Sequence, residues 1–139
     1  MSTEQAQEPV EQTIERLRQG IEAFNRRDLD GAMAPLDPDV ELVSLKAVLE
    51  GSSYNGREGM RRLLEDMGED WDQFQLTADE FLPVGDDRLL VMGHLQARGK
   101  ASGVEVNYAA AWLCNLRAGK VVRVRFYDDR DEALAAARG

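Results

Sequence analysis

From Trp71 to Tyr127 the chain reads as strands joined by short turns, and no other feature constrains the fold as much. "FQLTADEFLPV" runs to a turn at "GDD", and "RLLVMGHLQAR" follows. "GKASG" then turns into "VEVNYAAAWLCNL", and "RAGK" into "VVRVRFYDD". Gly- and Asp-bearing turns between β-branched and aromatic runs are hairpin signals. Alternation is cleanest in the last strand, where Val122, Val124 and Phe126 oppose Arg123, Arg125 and Tyr127. A sheet this long with one apolar face has to curl around something, and the only cover the sequence offers lies upstream. There Val10, Ile14, Leu17, Ile21 and Phe24 recur at steps of three or four, the stripe of an amphipathic helix that ends near Arg26–Arg27.

"LDGAMAPL" reads as a short second helix, ended by Pro35 and Pro38, because a residue before proline is pushed out of the helical region. "VELVSL" (Val40–Leu45) reads as a strand. "REGMRRLLEDMGEDW" places Met60, Leu63, Leu64 and Met67 on one face of a third helix, and "RDEALAAAR" is a terminal helix. Helices followed by a long sheet give the α+β class. Residues 1–9 are expected to be a disordered lead-in ending at Pro9, and residues 10–139 one domain. A sheet wrapped around helices that fill only part of its hollow side leaves a cavity, a common position for a small-molecule site.

The formal net charge of −9 excludes a nucleic-acid groove or an anionic membrane surface, since phosphate binding needs a concentrated positive field. The single cysteine, Cys114, excludes an internal disulfide and any cysteine-rich zinc site, and its apolar run "AAAWLCNL" suits a small buried hydrophobe. No stretch reaches the roughly 18 apolar residues of a membrane helix. "MSTEQAQEP" lacks the basic and apolar regions of a signal peptide, so a cytoplasmic location is expected. No phosphate-cradling glycine loop, "GxSxG" or histidine pair is present, and neither metal nor cofactor is expected.

Five carboxylates crowd "DLDGAMAPLDPDVE" and invite reading as a metal or acid–base site. Their positions argue for punctuation. Asp28 suits the N-cap of the second helix and Asp30 its first turn. Asp37 and Asp39 flank Pro38, and Glu41 alternates outward between Val40 and Leu42. "DLDG" does not carry calcium ligands at the offsets a calcium loop needs.

Two residues are candidates for acid–base chemistry. His94 titrates in the neutral range when unperturbed, but its strand is apolar on both sides, so alternation leaves open whether it points inward. Asp128 continues the Val124 and Phe126 face toward the strand end, while Asp129 suits the cap of the terminal helix. Phe126 itself belongs to the inner face. Tyr54 and Arg57 lie where the chain enters the third helix, and Arg57 is a candidate for an anionic ligand group.

Three strings, "FNRRDLDGAMAPLDPDVEL", "YNGREGMRRLLEDMGEDW" and "LRAGKVVRVRFYDDRDEAL", follow the order and spacing of conserved-fold landmarks in a known family. From about Val10 to Ala137 the chain resembles the SnoaL-like proteins of the nuclear-transport-factor-2-like superfamily, which includes ketosteroid isomerase. The resemblance implies a cystatin-like cone, with N-terminal helices packed into a strongly curved antiparallel or mixed sheet. It also implies a pocket in the cone and, commonly, a homodimer through the outer sheet face.

Ketosteroid isomerase uses an Asp base and an oxyanion hole of a Tyr and a protonated Asp. Aligned on "DLDG", the base falls at Ser44 and the Tyr at Gly20; aligned on "AGKVV", the second Asp falls at Ala111. A serine hydroxyl without a neighbouring base takes no proton at neutral pH, so the resemblance does not extend to that activity. The alignment turns Ala111 inward, together with Asn107, Ala109 and Asn115, and turns Tyr108, Trp112 and Cys114 outward as an apolar dimer surface. Ser44, Tyr54, Arg57, Asn107, Ala111, Asn115 and Phe126 then form the expected ligand-binding set. The function expected on these grounds is binding of a small, mostly apolar molecule. The alternatives are an isomerase-, cyclase- or hydrolase-type enzyme that uses Asp128 or His94, and a filled cone that serves only dimerisation.

Overall fold

The apolar stripe of the first helix is what seats it. A computed structural model describes the backbone of residues 2–43 and 54–138 and the side chains of residues 10–43, 54–69 and 71–138. In it α1 spans Ser2–Asn25 and buries Leu17, Ala23 and Phe24. The helix starts upstream of Val10, so residues 2–9 are helical backbone where the sequence suggests a disordered lead-in. Those residues are rich in Glu, Gln and Ala, good intrinsic helix formers, and carry no apolar stripe that periodicity could detect. Arg27 closes α1 in the left-handed region (φ 61°). Its N–H donates to the Phe24 carbonyl and the Asp28 N–H to the Ala23 carbonyl, each at 2.9 Å, a Schellman closure that normally recruits glycine.

α2 (Leu29–Met33) is capped by Asp28, whose carboxylate accepts from the Gly31 N–H at 3.2 Å. β1 (Leu36–Val43) passes through Pro38, beside which the Asp37 carboxylate accepts from the Asp39 N–H at 2.9 Å. It starts before the expected Val40; Ser44 and Leu45 lie outside the described residues. The remaining elements are β2 (Tyr54–Asn55), α3 (Gly56–Asp70), β3 (Trp71–Val84), β4 (Arg88–Gly99), β5 (Glu105–Arg117), β6 (Lys120–Tyr127) and α4 (Arg130–Arg138). Asp129 caps α4, accepting from the Asp131 and Glu132 N–H groups at 2.8 and 3.1 Å. Glu41 points away from the core and binds Arg123 at 2.8 Å. The carboxylate cluster is therefore structural punctuation.

The six strands form one curved sheet in the order β2-β1-β6-β5-β4-β3. Every pair is antiparallel except β1–β6, which is parallel, so the sheet is mixed. β3 is an edge strand, and edges need protection. The Asn25 side chain supplies part of it by imitating a strand, donating to the Leu76 carbonyl and accepting from the Leu76 N–H, both at 2.8 Å.

Two irregularities reset which side chains face the helices. Between β5 and β6 the register passes from Asn115↔Arg123 to Leu116↔Val121, leaving Val122 unpaired. Val121, not the expected Val122, is therefore buried with Val124. Between β3 and β4 it passes from Ala78↔Gly93 to Glu80↔Met92, and Asp79 bulges out of the ladder.

The core has two parts. The larger lies between the helices and the hollow face of the sheet and includes Leu17, Phe24, Val40, Leu63, Leu89 and Trp112. The smaller lies on the opposite face under α4, where Leu90, Met92, Ala111 and Leu113 meet Ala133 and Ala137. The middle of β4 and β5 is thus apolar on both sides.

Candidate functional site

The hollow face of the sheet and the helices enclose an apolar cavity of about 70 Å³. Its walls come from every layer: Leu17 and Phe24 from α1, Ala32 from α2, Met60 from α3, and Trp112 and Phe126 from the sheet. The last two stack with ring centroids 5.7 Å apart and planes 26° from parallel. Such a pair contributes about 0.5–1.5 kcal/mol beyond burial and fixes one wall flat. Gly20 also lines the cavity and allows α1 to approach closely; a Cβ there would lie 2.8 Å from Pro35 Cγ. Cys114 lines it too, fully buried, and burial pushes its thiol up to about 12. It stays a neutral thiol at physiological pH, a packing residue and not a nucleophile.

Of the expected ligand-binding residues, Phe126 lines this cavity. Ala111 does not: it is fully buried on the opposite face, under α4. Asn107, Ala109 and Asn115 share its parity along β5 and leave the cavity with it, while Trp112 and Cys114 turn inward. The inversion has a physical cause. Alternation tells inside from outside only when one face meets water, and here α4 covers the other face with alanines. The aromatic surface that argued for a homodimer is accordingly inside the domain, and Tyr108 alone of that set is exposed.

Tyr54 is held beside α3, where its hydroxyl donates to Asp66 at 2.5 Å and Arg62 lies 5.7 Å over its ring. Arg57 is exposed and paired with Asp30, tying α3 to α2. Neither lines the cavity. Ser44 lies outside the described residues.

His94 points away from the cavity. It pairs across the sheet with Thr77 on one side and Ala109 on the other, on the outer face. Its Nδ1 donates to the carboxylate of Asp79 at 2.7 Å. Asp79 lies two residues beyond Thr77, the cross-strand partner of His94, a proximity that only the strand register reveals. Both side chains are about 40% exposed, at 44% and 40%, so the pair contributes little to stability.

Asp128 follows Phe126 by two residues and is exposed. It lies near Tyr108, whose phenol is raised by partial burial and then by the negative charge of Asp128. Among the described residues, no three His, Cys, Asp or Glu side chains converge as a metal site would require, and no helix is long and apolar enough to cross a membrane.

This architecture has known relatives. Among solved structures, TerC co-crystallised with polyporic acid superposes with a TM-score of 0.75 at 22% identity, covering 91% of this chain and 98% of that one. An NTF2-like protein of unknown function from Burkholderia pseudomallei gives 0.74 at 22% identity, with the same coverages of 91% and 98%. A candidate polyketide cyclase from Xanthomonas campestris gives 0.73 at 20% identity, covering 91% and 97%. Identities this low speak for the shared fold alone. No curated protein matches the sequence. The sequence profile of the SnoaL-like domain matches residues 17–124, well over half of the chain. With the curved mixed sheet and the helix-lined cavity, that match places the chain in the SnoaL-like family.

Proposed function

We propose that the protein binds a small apolar molecule in the cavity between α1, α2, α3 and the sheet. One observation carries this reading: every residue that lines the cavity is apolar, from Leu17 to Phe126. A dry apolar cavity gains nothing from water, because a water needs polar partners there. It also supplies no proton donor or acceptor for chemistry, which favours binding over acid–base catalysis. TerC, which shares this fold, was co-crystallised with an organic small molecule, polyporic acid. At about 70 Å³ the cavity is smaller than the roughly 150 Å³ that accommodates benzene, so a larger occupant requires wall residues to give way. Met60 is the wall residue best suited to that, being unbranched and flexible.

Xenon, detected by NMR under pressure, is the direct probe. It is expected to shift methyl resonances of Leu17, Leu63 and Leu76 in the wild type. Ala32→Leu fills the space at an overpacking cost of about 1–3 kcal/mol and should abolish those shifts. Equal xenon response in the two proteins would sink the proposal.

A second reading rests on Asp128. It continues the face of Phe126 past the cavity wall and has Tyr108 as neighbour, an arrangement able to take a proton from a ligand that protrudes from the cavity. His94 is excluded from that role by its outward position. If Asp128 is a base, Asp128→Asn abolishes turnover of a cyclisable test substrate while xenon binding persists; full turnover in that variant removes the reading.

A further inference from the structure

We propose that the occupant of the apolar cavity is an arylalkylamine, its ring against the Trp112–Phe126 wall and its ammonium between the Asp128 carboxylate and the Tyr108 ring. This inference rests on the binding function proposed above and adds the polar end of the ligand.

The strand register shows where that end lies. Trp112 and Phe126 are cross-strand partners on the hollow face, and both line the cavity. Two residues past Phe126 the same face reaches Asp128, about 7 Å on at strand spacing. In the same direction along β5 it reaches Ala110 and then Tyr108. Ala110 is buried and small, so only a methyl group floors the path between the wall and Tyr108. Tyr108 is diagonal to Asp128, a separation of about 7–8 Å that an aromatic side chain spans. It shares the parity of Trp112 and is nevertheless 42% exposed, so the helices stop short of it. Asp128 is exposed as well. The two residues stand at an open end of the hollow face, next to the cavity wall.

The charges at that end suit a cation. Among the described residues Asp128 forms no ion pair. The arginines of β6 face the other way: Arg123 is bound to Glu41, and Arg125 lies 5.2 Å over the Tyr127 ring. Arg18 and Arg27 of α1 are stacked over Phe81 and Phe74 at 4.8 and 5.0 Å. Those rings belong to β3, which β4 and β5 separate from β6. From Asp128 to Glu132 four carboxylates accompany one arginine, and the chain as a whole carries −9. Such a field draws cations and repels anions. The Tyr108 phenol, raised first by partial burial and then by the charge of Asp128, shows that the two side chains are neighbours. An ammonium set between a carboxylate and a tyrosine ring gains from both.

The cavity sets the other end. Its apolar walls exclude a second polar group, and the flat Trp112–Phe126 pair suits a planar ring. A short alkyl arm carries the ammonium from that ring to Asp128. The bound ammonium keeps its proton, so Asp128 serves as its counter-ion and not as a base.

Calorimetric titration of the full chain near neutral pH and at matched ionic strength tests this. The probes are phenethylamine, 2-phenylethanol and 3-phenylpropanoate, a cationic, a neutral and an anionic version of one shape. Phenethylamine is expected to bind roughly tenfold more tightly than 2-phenylethanol, the value of one charge-assisted contact, and 3-phenylpropanoate more weakly than either. In NMR spectra the amine should move the ring signals of Phe126 and Tyr108 together. Asp128→Asn keeps the side-chain size and should erase the tenfold preference, and Tyr108→Leu should reduce it roughly two- to fivefold. Ala32→Leu, which fills the cavity, should weaken amine and alcohol alike. The inference is overturned if phenethylamine fails to bind at millimolar concentration, if its preference over the alcohol is absent or survives Asp128→Asn, or if Ala32→Leu leaves its affinity intact. Each of those results beside an intact xenon response leaves the cavity reading standing, whereas a missing xenon response removes both.

Discussion

Gly93→Ala is expected to destabilise the protein by at least about 3 kcal/mol, above the usual cost of overpacking, read as a fall in the urea midpoint at unchanged slope. A Cβ at Gly93 would lie 1.7 Å from the Thr77 carbonyl oxygen, 2.8 Å from its carbon and 3.1 Å from Ala78 Cα. All three are backbone atoms of β3, so no side-chain rotation relieves the clash; the strand itself has to move. The contact lies next to the bulge at Asp79, where a glycine commonly accommodates a close backbone approach. Asp79 sits in that bulge and binds His94, so a displacement of β3 should also loosen that ion pair. A loss below about 1 kcal/mol would mean that β3 yields freely and that the bulge is not a fixed feature of the fold.

Trp112→Ala is expected to cost about 3–5 kcal/mol, the range for removing a buried aromatic. Trp112 is 4% exposed, stacks on Phe126 and forms a wall of the apolar cavity. The truncation also enlarges that cavity by the volume of an indole ring. Added indole should therefore restore part of the lost stability, raising the melting temperature of the variant with a saturating concentration dependence. Wild type should gain much less, because the natural ring already occupies the space. An indole response equal in the two proteins would show that Trp112 does not face the cavity, and would revive the outward orientation that the family alignment implies.

How far the sequence reached follows from what each element had to satisfy. The α1 stripe was legible because a helix with one buried face must repeat its apolar residues at 3.6, and Leu17 and Phe24 obey that rule. The caps were legible because their chemistry is local: Asp28 serves the Gly31 N–H three residues on, and Asp129 serves Asp131 and Glu132. The start of α1 was not, since residues 2–9 carry helix propensity without a stripe. The bulges at Asp79 and Val122 were not, because a register shift is set by the partner strand, and the second took Val122 off the face that alternation had given it. The candidate site fared worst for the same reason. His94 acquired its carboxylate, and Phe74 its guanidinium, from residues 15 and 47 positions away, through contacts that no spacing announces.

The sequence by itself determined the order of the elements, the α+β class and the reading of the Asp28–Glu41 carboxylates as punctuation, because propensity, capping and periodicity act over a few residues. The tertiary structure alone decided which face of β5 is inside. "NYAAAWLCNL" is apolar on both faces, and either could have met the helices. In the fold Ala111 and Leu113 pack under the α4 alanines, while Trp112 and Cys114 take the hollow side against the helices. That choice removed Ala111 and Asn115 from the cavity and made its walls wholly apolar.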